Sequence, residues 1–203
     1  MRILLLCHTS HDDLMACPSG GLPVTRASLA DMTTVDKAVG ADHRIDWTKP
    51  MHPAQVARLR GRFDVVATRC CAYNVFFSPS EGVNTTALSN AAIALRKGGL
   101  LLMSAPAFGY AMVHKAQRTR GRGNVDTGAF VAGLGEARMK KLDELILSTV
   151  EANSGGLLRR VIGTEHHKAY DAIYRRYMGP RFEPADKGNS PWDVHNVLAF
   201  RRT

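Results

Sequence analysis

The run Ile3-Leu4-Leu5-Leu6 sets the tightest limit on what this chain can fold into. An apolar run this short, with no polar interruption, leaves no face for water. It reads as a strand buried on both sides, as in a parallel sheet covered by helices. Similar runs recur. Met32-Thr33-Thr34-Val35 is β-branched and ends at Asp36, which predicts a second strand. Residues 43–47 predict a short third strand. Phe63-Asp64-Val65-Val66-Ala67-Thr68 predicts a fourth, and Leu100-Leu101-Leu102-Met103 a fifth.

Helical periods lie between these strands. A short helix is predicted over 24–30. His52-Pro53 opens the next helix, with Pro53 in the first turn, Val56 and Leu59 on one face, and Gly61 at the end. A loop is expected over 78–82. Ala87, Leu88, Ala91, Ala92 and Leu95 then recur with helical spacing, and Gly98-Gly99 is read as that helix's cap. Leu142, Leu145, Ile146 and Val150 predict a long amphipathic helix ended by Gly155-Gly156. A sixth strand over 157–164, a short helix over 170–178 and a last strand over 195–200 complete the order. Alternation of this kind predicts an α/β fold, a three-layer sandwich around a mostly parallel sheet. The ligand crevice should then lie past the carboxyl ends of the strands.

At 203 residues the chain is read as a single domain, 1–203, with a Gly-rich basic loop insertion at about 105–135. No apolar run approaches the ~20 residues that span a bilayer, and the N-terminus lacks the form of a signal peptide. Of the four cysteines, Cys7, Cys17, Cys70 and Cys71, no two have C-x-x-C spacing. They are read as reduced thiols in a cytoplasmic setting, and no metal site is expected. The net charge of +9 favours an anionic partner, of which nucleic acid is one candidate.

Three segments carry a family resemblance. They are Thr34-Val35-Asp36, Ile45-Asp46-Trp47, and the turn Leu95-Arg96-Lys97-Gly98-Gly99-Leu100-Leu101-Leu102. In this order they resemble class I S-adenosylmethionine-dependent methyltransferases. The resemblance implies a last strand antiparallel to the others and S-adenosylmethionine as cofactor. It implies that Asp36 receives the ribose hydroxyls, since an ionised carboxylate is acceptor-only and can take both protons of a vicinal diol. It implies that Asp46 accepts from the adenine amine beside Trp47. The implied cofactor contacts are Cys7, His8, Gly20, Gly21, Asp36, Asp46, Trp47 and Arg69. The implied acceptor contacts are Lys115, Arg118, Arg120 and Arg122, whose guanidinium-rich chemistry suits phosphate. No catalytic acid or base is singled out, and the oligomeric state is not indicated.

The chain also departs from that family. His8-Thr9-Ser10-His11-Asp12-Asp13 follows the first strand where G-x-G-x-G is usual, and Arg69-Cys70-Cys71-Ala72-Tyr73-Asn74 follows the fourth in place of Asn-Pro-Pro-Tyr. Each candidate has a plainer reading. Asp36 can be a polar strand end or helix N-cap, Asp46 a turn residue, and Trp47 a core aromatic. The basic tract can be a solvated loop. Two functions follow: methyl transfer to an anionic acceptor such as RNA, or a catalytically inactive protein of the same fold that binds nucleic acid or serves in an assembly.

Overall fold

The computed structural model describes residues 1–7, 31–68, 75–78, 82–104, 136–161 and 197–203. The predicted helices over 24–30 and 170–178 and the basic insertion fall outside them. Among the described residues the elements are β1 (Ile3–Leu6), β2 (Met32–Asp36), β3 (His43–Arg44), α1 (Pro53–Leu59), β4 (Phe63–Thr68), β5 (Phe77–Ser78), β6 (Gly82–Val83), α2 (Thr85–Ala94), β7 (Leu95–Ser104), α3 (Glu136–Asn153), β8 (Leu158–Val161) and β9 (Val197–Arg202).

Seven strands form one sheet in the order β3-β2-β1-β4-β7-β9-β8. All neighbouring pairs from β3 to β7 are parallel. β9 runs antiparallel to both β7 and β8, so it alone is reversed. This is the mostly parallel sheet with a reversed final strand expected of the class I methyltransferase fold. Strand order reverses between β1 and β4: β2 and β3 follow β1 toward one edge, and β7, β9 and β8 lie beyond β4 toward the other.

Side chains alternate across the sheet with period two. Leu4, Leu6, Val66, Leu101, Met103, Leu198 and Phe200 enter a core shared with Leu59 of α1, Ala87, Leu88 and Ala91 of α2, and Ile146 and Val150 of α3. Ile3, Leu5, Val65, Ala67, Leu102 and Ala199 form a second core on the other face. Ile3 and Leu5 are as fully buried as Leu4 and Leu6. Both faces are therefore covered, as a three-layer arrangement requires, and this is why β1 is apolar at every position.

Local chemistry sets the helix ends. In α1 the His52 ring accepts from the Ala54 amide at 3.3 Å and Gln55 Oε1 accepts from the His52 amide at 2.8 Å, with Pro53 at the first position. Asn84 caps α2 by accepting from the Ala87 amide. Gly155 and Gly156 follow α3 with φ of 62° and 79°, a conformation that costs a side-chain-bearing residue free energy.

Several expectations are corrected. Gly98-Gly99 does not cap α2. Leu95 already leaves the helix in extended conformation and the chain passes directly into β7. The glycines instead form a bulge, where the register against β4 jumps from Phe63↔Leu95 to Val65↔Leu100. A Cβ on Gly99 would lie 2.9 Å from the Arg96 carbonyl oxygen and 3.0 Å from that of Asp64, so the close strand approach needs glycine. The expected 78–82 loop contributes to a short antiparallel hairpin, β5–β6. β3 stops at Arg44 because the chain turns at Asp46. Leu145 of α3 is 52% exposed, so the buried face is centred on Ile146, Leu147 and Val150. β8 is described over Leu158–Val161, inside the predicted 157–164, and β9 extends to Arg202.

Candidate functional site

The carboxyl ends of β1, β2 and β3 meet around a cavity of about 460 Å³. Small-molecule sites span roughly 300–1,000 Å³. Cys7 closes it from β1, Val35, Asp36 and Lys37 from β2, Ile45, Asp46, Trp47 and Thr48 from the loop after β3, and Val75 from the chain beyond β4. The sheet places the cavity beside its switch point, where open α/β sheets hold ligands.

Parallel pairing sets the first wall. The Cys7 amide donates to the Val35 carbonyl at 2.8 Å, carrying the β1–β2 ladder one residue past β1. Cys7 then takes φ of 65°, the one left-handed residue other than glycine among the described residues. A backbone of that kind costs about 1–3 kcal/mol and recurs at functional sites. The chain therefore leaves β1 through a left-handed bend made without glycine.

Asp36 ends β2 half-buried. Its Oδ1 accepts from the Ala38 amide at 2.8 Å. Its other oxygen has no hydrogen-bond partner among the described residues. That leaves a fixed carboxylate with acceptor capacity on the cavity wall.

Asp46 is held by its own turn. Oδ1 accepts from the Thr48 hydroxyl at 2.6 Å and the Thr48 amide at 3.1 Å, and Oδ2 lies 3.7 Å from Lys49 Nζ. The Thr48 hydroxyl bond is the main cause of a pKa below the usual carboxylate range. Burial opposes it, while the Thr48 amide, Lys49 and Lys37 add to it. Asp46 thus has the turn role of the plainer reading, and it also lines the cavity.

Trp47 is 4% exposed and belongs to the main core. Its Nε1–H finds no acceptor among the described residues. An unpartnered buried donor costs about 1–3 kcal/mol. Two asparagines of the α2 segment fix the surrounding loop. Asn90 Nδ2 donates to the carbonyls of Trp47 at 2.9 Å and Lys49 at 2.8 Å, and Asn84 Nδ2 donates to Thr48 O at 3.3 Å. Neither asparagine stood out from sequence. The available signal was Asn90 standing on the apolar stripe of α2, where a buried amide needs specific partners.

Of the expected cofactor contacts, Cys7, Asp36, Asp46 and Trp47 meet at one cavity. His8, Gly20, Gly21 and Arg69 lie outside the described residues, as do Lys115, Arg118, Arg120 and Arg122. One expectation is overturned: Cys7 is disulfide-bonded, so the cysteines are not all reduced thiols. Spacing tests only near neighbours, whereas a bridge needs two residues close in space. The cytoplasmic reading that rested on reduced thiols loses that support. Among the described residues no three His, Cys, Asp or Glu side chains group as a metal site would require, and no helix is long and apolar enough to cross a membrane.

No protein-family model matches this sequence, and no curated protein sequence matches it. Solved structures do resemble it. The aminoglycoside resistance methyltransferase NpmB1 aligns over 100% of this chain and 87% of its own, with 12% identity and a TM-score of 0.39. The antibiotic-resistance methyltransferase Kmr aligns over the same shares at 14% identity and a TM-score of 0.41. The [4+2]-cyclase SpnF aligns over 99% of this chain and 75% of its own, at 13% identity and 0.35. At these scores the strand order is the stronger statement about the fold.

Proposed function

We propose that the cavity at the carboxyl ends of β1, β2 and β3 binds S-adenosylmethionine, and that the protein directs methyl transfer to an anionic acceptor, with RNA the candidate. One observation carries the reading. Asp36 presents to a cavity of about 460 Å³ a carboxylate with one oxygen unengaged among the described residues, at the end of the second strand beside the switch point.

The residues present fit the cofactor. Asp36 supplies an acceptor for a ribose diol. Val35, Ile45, Trp47 and Val75 give apolar wall for a purine, and the Trp47 N–H awaits an acceptor. When bound, S-adenosylmethionine supplies a methyl group already activated by its sulfonium charge. The chain's own part is to orient the two reactants and keep water out, and neither task requires a catalytic acid or base. Asn84 and Asn90 serve orientation by holding the loop that carries Asp46 and Trp47. The net charge of +9 supports a polyanionic acceptor, with Lys115, Arg118, Arg120 and Arg122 as its proposed contacts.

Incubation of the protein with tritium-labelled S-adenosylmethionine and total RNA tests the reading, with the label followed into acid-insoluble RNA. Time-dependent incorporation that Asp36→Ala abolishes is expected. The second reading, a protein of this fold without transfer activity, is favoured by the strained Cys7 in place of glycine. Cofactor binding without incorporation into RNA or protein would select it.

A further inference from the structure

A second cavity, of about 470 Å³, opens at the opposite end of the sheet, where β1 to β4 begin. Among the described residues its lining is Arg2, Thr33, His43, Arg58, Arg62 and Phe63. Three of these six are guanidinium groups. None of the three has an ion-pair or hydrogen-bond partner for its side chain among the described residues. Three carboxylates of the neighbouring described residues have partners of their own. Asp64 accepts from the Arg2 backbone amide at 2.6 Å and pairs with Arg96. Asp42 accepts from the Thr34 amide and hydroxyl at 2.8 and 3.1 Å. Asp31 pairs with the N-terminal ammonium at 3.7 Å.

Arg2, Arg58 and Arg62 are exposed and solvated, and together they give the concavity a positive potential that attracts an anion. The lining suits one ligand chemistry. Guanidinium forks match phosphate oxygens bidentately. Thr33 adds a hydroxyl and His43 a ring nitrogen. Phe63 gives an apolar floor and is 5% exposed. We infer that this amino-end cavity is a phosphate-binding site, separate from the carboxyl-end cavity and independent of whether the latter takes S-adenosylmethionine. The phosphate can belong to a nucleic-acid backbone or to a small phosphate. Pairing of Arg58 and Arg62 with its oxygens is the anchoring contact.

His43 offers an internal reporter. Burial is the main cause of a pKa below the usual 6.5. Asp42 opposes the shift, and Arg58 and Arg62 add to it. An anion seated among these groups would favour the imidazolium and move the pKa back up.

The test uses the full chain, Arg58→Ala/Arg62→Ala, and a control of equal charge loss, Lys141→Ala/Arg159→Ala, at exposed positions away from the cavity. A fluorescent single-stranded RNA is titrated by anisotropy across a salt series. Inorganic pyrophosphate is titrated by NMR while His43 is followed, its signal assigned with His43→Gln. The expected result is binding that weakens about tenfold or more in the cavity variant, with a salt slope lower by about one to two, and little change in the control. With pyrophosphate, His43 titrates at higher pH in the wild type and not in the cavity variant. RNA binding alone would assign the site to a nucleic-acid backbone, and pyrophosphate binding alone to a small phosphate. Equal loss in both variants, or no binding of either ligand, would overturn the inference. An unchanged melting temperature in the cavity variant excludes loss of fold as the cause, and the exposed positions of Arg58 and Arg62 lead us to expect that.

Discussion

The two ends of one sheet differ in charge and in how their charged groups are held. At the carboxyl ends of β1–β3 the described cavity wall carries two carboxylates, each engaged by hydrogen bonds from its own turn. At the amino ends the second cavity carries three guanidinium groups with no side-chain partner among the described residues. The first is a built wall, with α2 asparagines bracing the loop behind it. The second is a concentration of charge held by short reach and open water. A site for a neutral or cationic nucleoside needs fixed acceptors, and a site for phosphate needs available donors. The described residues place acceptors at one end of the sheet and donors at the other.

The largest expected effect breaks the built end. Asn90→Ala leaves the buried Trp47 carbonyl and the part-buried Lys49 carbonyl without their donor. It should cost about 2–4 kcal/mol in denaturant unfolding, roughly 1–3 kcal/mol for the orphaned Trp47 carbonyl and about 1 kcal/mol for the lost bond to the part-buried Lys49 carbonyl. Phosphate affinity at the amino end should change little in the folded fraction. Loss at both ends would mean that the two are one cooperative device.

A smaller effect is expected from the other end. Gly99→Ala places a methyl 2.9 Å from the Arg96 carbonyl and 3.0 Å from that of Asp64, where only backbone can yield. Overpacking of this kind costs about 1–3 kcal/mol. The Arg96–Asp64 pair beside Arg2 should be disturbed, while nucleoside affinity at the far end holds. Asp64 itself is held below the usual carboxylate range. Burial alone would raise it, but the Arg2 amide, Arg96 and the N-terminal ammonium outweigh burial.

The smallest effect is a pH signature. The Asp46 carboxyl is lowered chiefly by the Thr48 hydroxyl, so the unfolded chain holds that proton more tightly than the folded one. The resulting stabilisation is present above the ordinary carboxylate pKa of about 3.9 and fades as pH falls through the folded value. Melting curves of wild type and Asp46→Asn should differ slightly at neutral pH and converge in acid. A gap that does not shrink as the pH falls would assign it to packing instead.

The strands were legible because their signal is local. Ile3–Leu6 and Phe63–Thr68 are apolar where both sheet faces are covered, and no partner need be known to read that. The end of α2 was not legible in the same way. Two glycines after an apolar helix mark a cap or a bulge equally well, and only pairing with β4 selects the bulge. Asp36, Asp46, Trp47 and Cys7 could each be placed at a strand end from sequence. Their convergence on one cavity depended on strand order. Asn90 was passed over because its partners lie more than 40 residues away, at Trp47 and Lys49. The amino-end grouping was hidden for the same reason, since Arg2 lies more than 50 residues from Arg58 and Arg62.

The central claim is that the carboxyl-end cavity takes a nucleoside through Asp36. Isothermal titration of S-adenosylmethionine into wild type and Asp36→Ala tests it directly. A one-to-one isotherm for wild type is expected, with affinity lower by about tenfold or more in Asp36→Ala, the loss of a hydrogen bond to a charged group. No heat from folded wild type at roughly millimolar ligand, or equal affinity in the two proteins, would contradict it.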